Sequence, residues 1–238
     1  MFLTHPAPGN LRILDTAPLP TPSQEALERV DELWRQSLER VPGLFDGRVF
    51  SLEHFEGGDA VGFLAPYKWY LAQLAEPELY SELRVRSLAL SGLVVASGHL
   101  FFGLRRRNLA VEPNLWETAP SGTLDASIRE PDGSISWRGA FAAEMRVELG
   151  IDPAACDPRP FALVEDTGTR IIETGLLLEL PMDHRDVLAA YVGSPAPEHC
   201  EMAAVPLHDV ARFLKERAAA MTGACPHLVA ASGLIPAS

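Results

Sequence analysis

The chain has 238 residues, 47% hydrophobic and 22% charged, which is enough apolar material for one large domain or a domain with an extension. Its formal net charge of −12, from 20 Lys+Arg against 32 Asp+Glu, excludes the basic footprint that non-specific nucleic-acid binding needs, but not a small phosphorylated ligand. The cysteines Cys156, Cys200 and Cys225 are odd in number and lack a Cys-x-x-Cys pair, which disfavours a disulfide scaffold or zinc site and suits a reducing cytoplasm.

The first 22 residues are rich in proline and carry no signal-peptide pattern, although Leu11 to Leu14 alternates like a strand. Ser23 is placed to cap a helix from Gln24 to Arg40, with Ala26, Leu27, Val30, Leu33, Trp34 and Leu38 on its apolar side, and Pro42 and Gly43 end it. Arg48 to Phe55 alternates as a strand, and Gly57-Gly58-Asp59 turns the chain. Tyr67 to Ala75 reads as a helix, and Pro77 starts a new segment. Leu88 to Leu104 is the most apolar stretch, but Ser97-Gly98 and other polar residues break it, so it reads as two strands around a turn and not as a membrane span. A basic cluster, Arg105-Arg106-Arg107, follows.

Next come Trp116 and a Pro120-Ser121-Gly122 loop, a turn at Asp132-Gly133, and a segment from Ala142 to Ile151. In that segment Glu144 and Glu148 are four apart, so on a helix they project side by side. Ala142, Met145 and Leu149 form a core-facing stripe, and Gly150 suits the left-handed end of a helix. Such a pair is common on solvated faces; held together, it calls for a cation with a preference for oxygen ligands. Pro153 to Pro160 reads as a loop, and Phe161–Asp166 and Ile171–Leu180 as a hairpin about Asp166-Thr167-Gly168-Thr169. A late strand from Glu201 and a helix ending near Leu214 follow.

This order resembles the Nudix hydrolase family, whose signature is G-x5-E-x7-R-E-U-x-E-E-x-G-U, with U a bulky apolar residue. Gly122 matches the first glycine, Glu144 the Glu of Arg-Glu, Met145 the apolar position, Glu148 the second Glu of Glu-Glu, and Gly150-Ile151 the close. Ala143 replaces the arginine, Val147 replaces a Glu that is commonly a metal ligand, and the spacing from Gly122 to Glu144 is lengthened by an insertion. Phe45 to Phe50, the Tyr-containing helix and Gly103 to Ala110 are similar to a Nudix branch with an N-terminal pre-domain, which includes UDP-glucose and UDP-galactose hydrolases.

The resemblance implies an α+β fold, an α/β/α sandwich with a mixed central sheet and a carboxylate-bearing helix. An extension over residues 1–85 would precede a Nudix-like domain over residues 86–238. It implies hydrolysis of a nucleoside diphosphate derivative, nucleotide sugars favoured, with Mg2+ (or Mn2+) held by Glu144 and Glu148. Glu201, with Glu198 next in line, would be a third ligand or the base; a surface Glu before an edge strand is the alternative. Arg105 and Arg106 would meet the phosphates, or form a solvated edge. Ser121 and Gly122 would touch the substrate, and Trp116 would stack on it or pack on the carboxylate helix. His184, His199 and His208 show no metal spacing and read as satisfied core or surface residues. No nucleic-acid or membrane partner is expected, and a homodimer is compatible. The competing reading, which Val147 favours, is a catalytically weakened Nudix-fold module that binds a nucleotide or a protein.

Overall fold

The computed structural model describes residues 1–152, 157–194 and 198–235, so Cys156 and part of the loop expected from Pro153 lie outside the described residues. Strands β1 (Phe2–Pro6) and β2 (Arg12–Asp15) lead to helix α1 (Gln24–Arg40), where the Ser23 hydroxyl accepts from the Ala26 N–H at 3.2 Å, the expected cap. The expected apolar side of α1 buries Ala26, Val30 and Leu33, while Leu38 stays exposed. The hairpin β3 (Arg48–Glu56) and β4 (Asp59–Pro66) runs into α2 (Tyr67–Ala75) and the single-turn α3 (Tyr80–Leu83). Then come β5 (Leu88–Ala96), β6 (His99–Arg105), the short strands β7 (Trp116–Thr118), β8 (Ser121–Thr123) and β9 (Ser134–Ile135), and α4 (Trp137–Glu148). The chain continues through β10 (Arg159–Asp166), β11 (Ile172–Leu180), α5 (His184–Val192), β12 (His199–Pro206), α6 (Val210–Glu216) and α7 (Cys225–Ala231).

The fold class is the α+β class expected. A central sheet runs β1-β10-β11-β5-β6-β12, parallel between β11 and β5 and otherwise antiparallel. A smaller sheet runs β3-β4-β2-β9. Each sheet draws strands from both sides of residue 85: β1 edges the central sheet, and β9 completes the small one. Helices cover both faces of the central sheet, which explains why every residue of β5 is buried. Its alternate residues divide between two cores. Leu90 and Val94 pack with Phe141, Met145 and Leu149 of the α4 layer, whereas Leu93 and Val95 pack with Val210, Phe213 and Leu228 of the α6–α7 layer. A third core holds α1 and α2 on β4 through Val30, Phe63, Ala65 and Trp69.

One departure from a regular sheet positions the site. Strands β5 and β6 pair at their turn, Val95 with Leu100 and Ala96 with His99, and then diverge. The opening is filled by β7, which pairs with β6, and β8, which pairs with β5; they are joined through Ala119 and the cis Pro120. On the far side of β6, the His199 ring of β12 lies over Gly103, so close that a Cβ there would sit 2.3 Å from a ring carbon. Replacement Gly103→Ala is expected to lower stability by about 1–3 kcal/mol through overpacking. A urea midpoint equal to that of wild type would show that the ring gives way freely.

Candidate active site

The splayed strands open beneath a pocket of about 520 Å³. One wall comes from the central sheet: Ala89 and Ser91 of β5, Glu117 of β7, Ser121 to Thr123 of β8, and Glu173 of β11. The other comes from the first third of the chain, namely the loop Val41 to Phe45 and the α2 residues Tyr67 and Tyr70. Glu144, Asp125, Glu112, Glu198 and Arg105 also line it, together with Asn108 to Val111 and Ile171, so its acids outnumber its one arginine.

Helix α4 delivers its two carboxylates to the same short strand. Glu148 is fully buried, and its Oε2 accepts from the Ser121 N–H at 3.0 Å. Glu144 lies on Gly122, where a Cβ would fall 2.4 Å from its Oε1; glycine at 122 is what lets that carboxylate approach the strand. Of the stripe expected to oppose the pair, Met145 and Leu149 are fully buried and Ala142 is half-buried. The stripe is joined by Glu148 itself, which the helix carries inward beneath the sheet. Gly150 takes the left-handed conformation expected of it, φ 68°. Burial, and then the neighbouring Glu198 and Asp125, push the Glu144 carboxyl up to about 7. Burial, and then Glu117 and Glu144, push Glu148 well above the usual carboxylate range.

Behind the pair runs a buried chain of charge that sequence reading missed. Arg105 Nη1 donates to Glu117 Oε1 at 2.7 Å, and His199 Nε2 stands 2.9 Å from the same oxygen. Because an ionised carboxylate only accepts, Nε2 carries the proton. His199 Nδ1 lies 3.8 Å from Glu148 Oε2, and no hydrogen bond to Nδ1 is present. Burial alone would raise Glu117, but Arg105 and His199 hold it below the ordinary range.

Glu144, Arg105, Ser121 and Gly122 line one pocket, and Glu148 lies buried behind it on the Ser121 amide; Glu148, Glu201, Arg106 and Trp116 are all outside the lining itself. Glu201 is exposed on β12. A bulge between His199 and Glu201 sets two strand residues against one on β6, so His199 turns in and Glu201 turns out. Glu198, the next candidate in sequence, lines the pocket. Trp116 packs edge-on against Phe213 at 5.5 Å, in the α6–α7 layer and not against α4. Arg106 donates its backbone N–H to the Glu198 carbonyl at 3.0 Å. Arg105 is spent on the protein, with further bonds to the carbonyls of Val111 and Glu112 at 3.2 and 3.1 Å.

No protein-family model matches the chain, and no curated protein matches it. Solved structures similar to it include DR0079 of Deinococcus radiodurans, 20% identical over 60% of this chain and 80% of that one, with a TM-score of 0.43. A bifunctional NMN adenylyltransferase/ADP-ribose pyrophosphatase of Francisella tularensis, complexed with AMP and a Mn ion, is 14% identical over 67% of this chain and 44% of that one (TM-score 0.44). The NUDIX domain of Shewanella oneidensis NrtR, complexed with ADP ribose, is 11% identical over 67% and 94% (TM-score 0.41). Nudix proteins are thus among the structures this chain resembles. Its chemistry is argued below from its own atoms.

Two features of the α4 carboxylates fit a divalent cation. Glu148 Oε1 is buried without a hydrogen-bond partner, and the two acids crowd one strand at a cost that a positive charge would offset. Among the described residues, no group of three or more His, Cys, Asp or Glu is gathered tightly enough to hold a metal ion, so any ion here would rely on two protein carboxylates and water. Also among the described residues, no helix is long and apolar enough to cross a membrane, and Cys200 and Cys225 are free.

The raised acids make a signed prediction. A carboxyl whose folded pKa exceeds its unfolded value binds more protons when folded, so its stabilisation is present at low pH and lost as pH rises through the folded value. With Glu144 at about 7, the metal-free protein is expected to melt at progressively lower temperature from about pH 5 to pH 8. Glu144→Gln should flatten that slope, and an unaltered slope would place the proton elsewhere.

Proposed function

We propose that this pocket hydrolyses the phosphoanhydride of a nucleoside diphosphate joined to a second moiety, with a nucleotide sugar such as UDP-glucose or UDP-galactose as the favoured substrate. The observation that supports it best is the Glu148 carboxylate, one oxygen fixed by Ser121 and the other left without a partner beside Glu144. Glu144 and Glu148 would hold Mg2+, or Mn2+ in its place. The ion would offset the phosphate charge, orient the phosphates and acidify a bound water.

The chain's own residues divide the remaining work. His199 and Glu117 back Glu148 from beneath, and Ser121 fixes its orientation. Glu198, which lines the pocket where Glu201 was expected, is the candidate base. Arg105 holds Glu117 and contributes little net positive charge toward a phosphate, because Glu117 and Glu198 flank it at 2.7 and 3.9 Å. Neutralisation of the diphosphate would then fall to a cation held by Glu144 and Glu148. The wall supplied by residues 41–45 and α2 leaves room for a moiety beyond the phosphates, in keeping with a nucleotide sugar.

The test is turnover of a nucleotide-sugar panel with Mg2+ or Mn2+, scored as release of nucleoside monophosphate and sugar phosphate. Glu144→Gln and Glu148→Gln should each lower metal-dependent turnover by at least about 100-fold. Full activity in either variant would overturn the assignment.

A second reading has its own support. Val147 stands where the family signature has a carboxylate, and its side chain is 40% exposed and outside the pocket lining. A module that binds nucleotides without hydrolysing them would show ligand-dependent thermal stabilisation and no products.

A further inference from the structure

The pocket carries a second polar group, which the reaction proposed above does not use. Tyr70 lines the pocket and is 3% exposed, yet its hydroxyl is buried with no hydrogen-bond partner. The charged groups acting on it include Glu112 and Glu173, both of which also line the pocket. Glu173 accepts a hydrogen bond from Ser91 through one oxygen, Oε2. Three elements far apart in sequence, α2, β5 and β11, thus converge on one spot with oxygen acceptors, one orphan hydroxyl and two tyrosine rings.

A phosphate is disfavoured there, since burial raises Glu112 and pushes Glu173 up to about 8, and neither supplies the positive charge a phosphate needs. An ammonium only donates, so it would leave the Tyr70 O–H without an acceptor. Adjacent hydroxyls do match: each can donate to a carboxylate oxygen and accept from the tyrosine, while the C–H face of the ring packs on an aromatic side chain. An unpartnered buried hydroxyl costs stability in the empty protein, and a ligand that pairs with it recovers that cost.

We propose that Tyr70 and Glu173 form a sugar-reading subsite that recognises a vicinal diol of the substrate. It rests on the nucleotide-sugar reading for the identity of the ligand, but not on turnover. The diol has two sources, the ribose of the nucleoside or the sugar beyond the second phosphate, and the probes separate them. Non-hydrolysable methylene-bridged analogues of UDP-glucose, dTDP-glucose (no ribose diol) and UDP (no hexose) are titrated into the whole protein with Mg2+ by calorimetry.

Wild type is expected to bind the UDP-glucose analogue at least tenfold more tightly than the probe that lacks the recognised diol. Loss confined to the dTDP-glucose analogue assigns the ribose, and loss confined to the UDP analogue assigns the hexose. In Tyr70→Phe that ratio should fall below threefold while the ligand-free melting temperature stays equal or rises, because the orphan hydroxyl is gone. Glu173→Gln should lower the ratio in the same direction. A merely structural tyrosine would lose melting temperature and keep the ratio. Equal binding of all three probes by wild type, or an unchanged ratio in both variants, overturns the subsite. Loss of turnover in Glu148→Gln with an unchanged ratio in both Tyr70→Phe and Glu173→Gln would leave the hydrolase reading standing and sink this one alone.

Discussion

The site depends on one buried contact, the hydrogen bond from the Ser121 amide to the Glu148 carboxylate. Strands β5 and β6 part company after their turn, and the wedge that fills the opening has backbone amides that need partners under the sheet. Glu148 satisfies one of them from α4. Burying a carboxylate so completely is costly, and the structure meets that cost only in part. It supplies one amide on Glu148 itself and, behind it, the Arg105–Glu117–His199 chain. The remaining deficit is the partnerless Glu148 oxygen, which a positive charge beside the two α4 acids would offset.

The same geometry explains the split between layers. Trp116 and Glu117 are adjacent on β7, so they face opposite sides of the sheet. Trp116 goes to the α6–α7 core and Glu117 goes to the pocket. Next door, the bulge on β12 inverts the parity that a regular strand would keep, so His199 reaches the interior and Glu201 does not. The His199 ring is then accommodated only because β6 presents Gly103 beneath it. A wedge, a bulge and a glycine are together enough to build a buried relay behind a pair of acids.

Local signals were readable in the sequence wherever short-range chemistry decides the outcome. Ser23 as a cap, the extent of α1 and α2, the turn between β5 and β6, and the hairpin of β10 and β11 all follow from side chains within a few residues of each other. The i, i+4 placement of Glu144 and Glu148 was equally local. What stayed hidden were partners distant along the chain. Glu117 and His199 meet across 82 positions, and Glu173 reaches Ser91 across another 82. Trp116 drew notice as an aromatic beside a glycine loop, but the alternation of β7 makes its neighbour the pocket residue. That much was available from period-two reasoning once β7 was recognised as a strand. The bulge that exchanges Glu201 for His199 leaves no comparable mark in composition.

The pocket's two walls have separate origins. Glu117 and Glu173 sit on the central sheet and Glu144 on α4, whereas residues 41–45 reach the rim from a surface loop ending in the largely exposed Phe45. Grafting alternative loops between Val41 and Gly47 would therefore alter which molecules are admitted while the acidic floor is left intact, giving a laboratory lineage a route to new selectivity without disturbing the reactive groups.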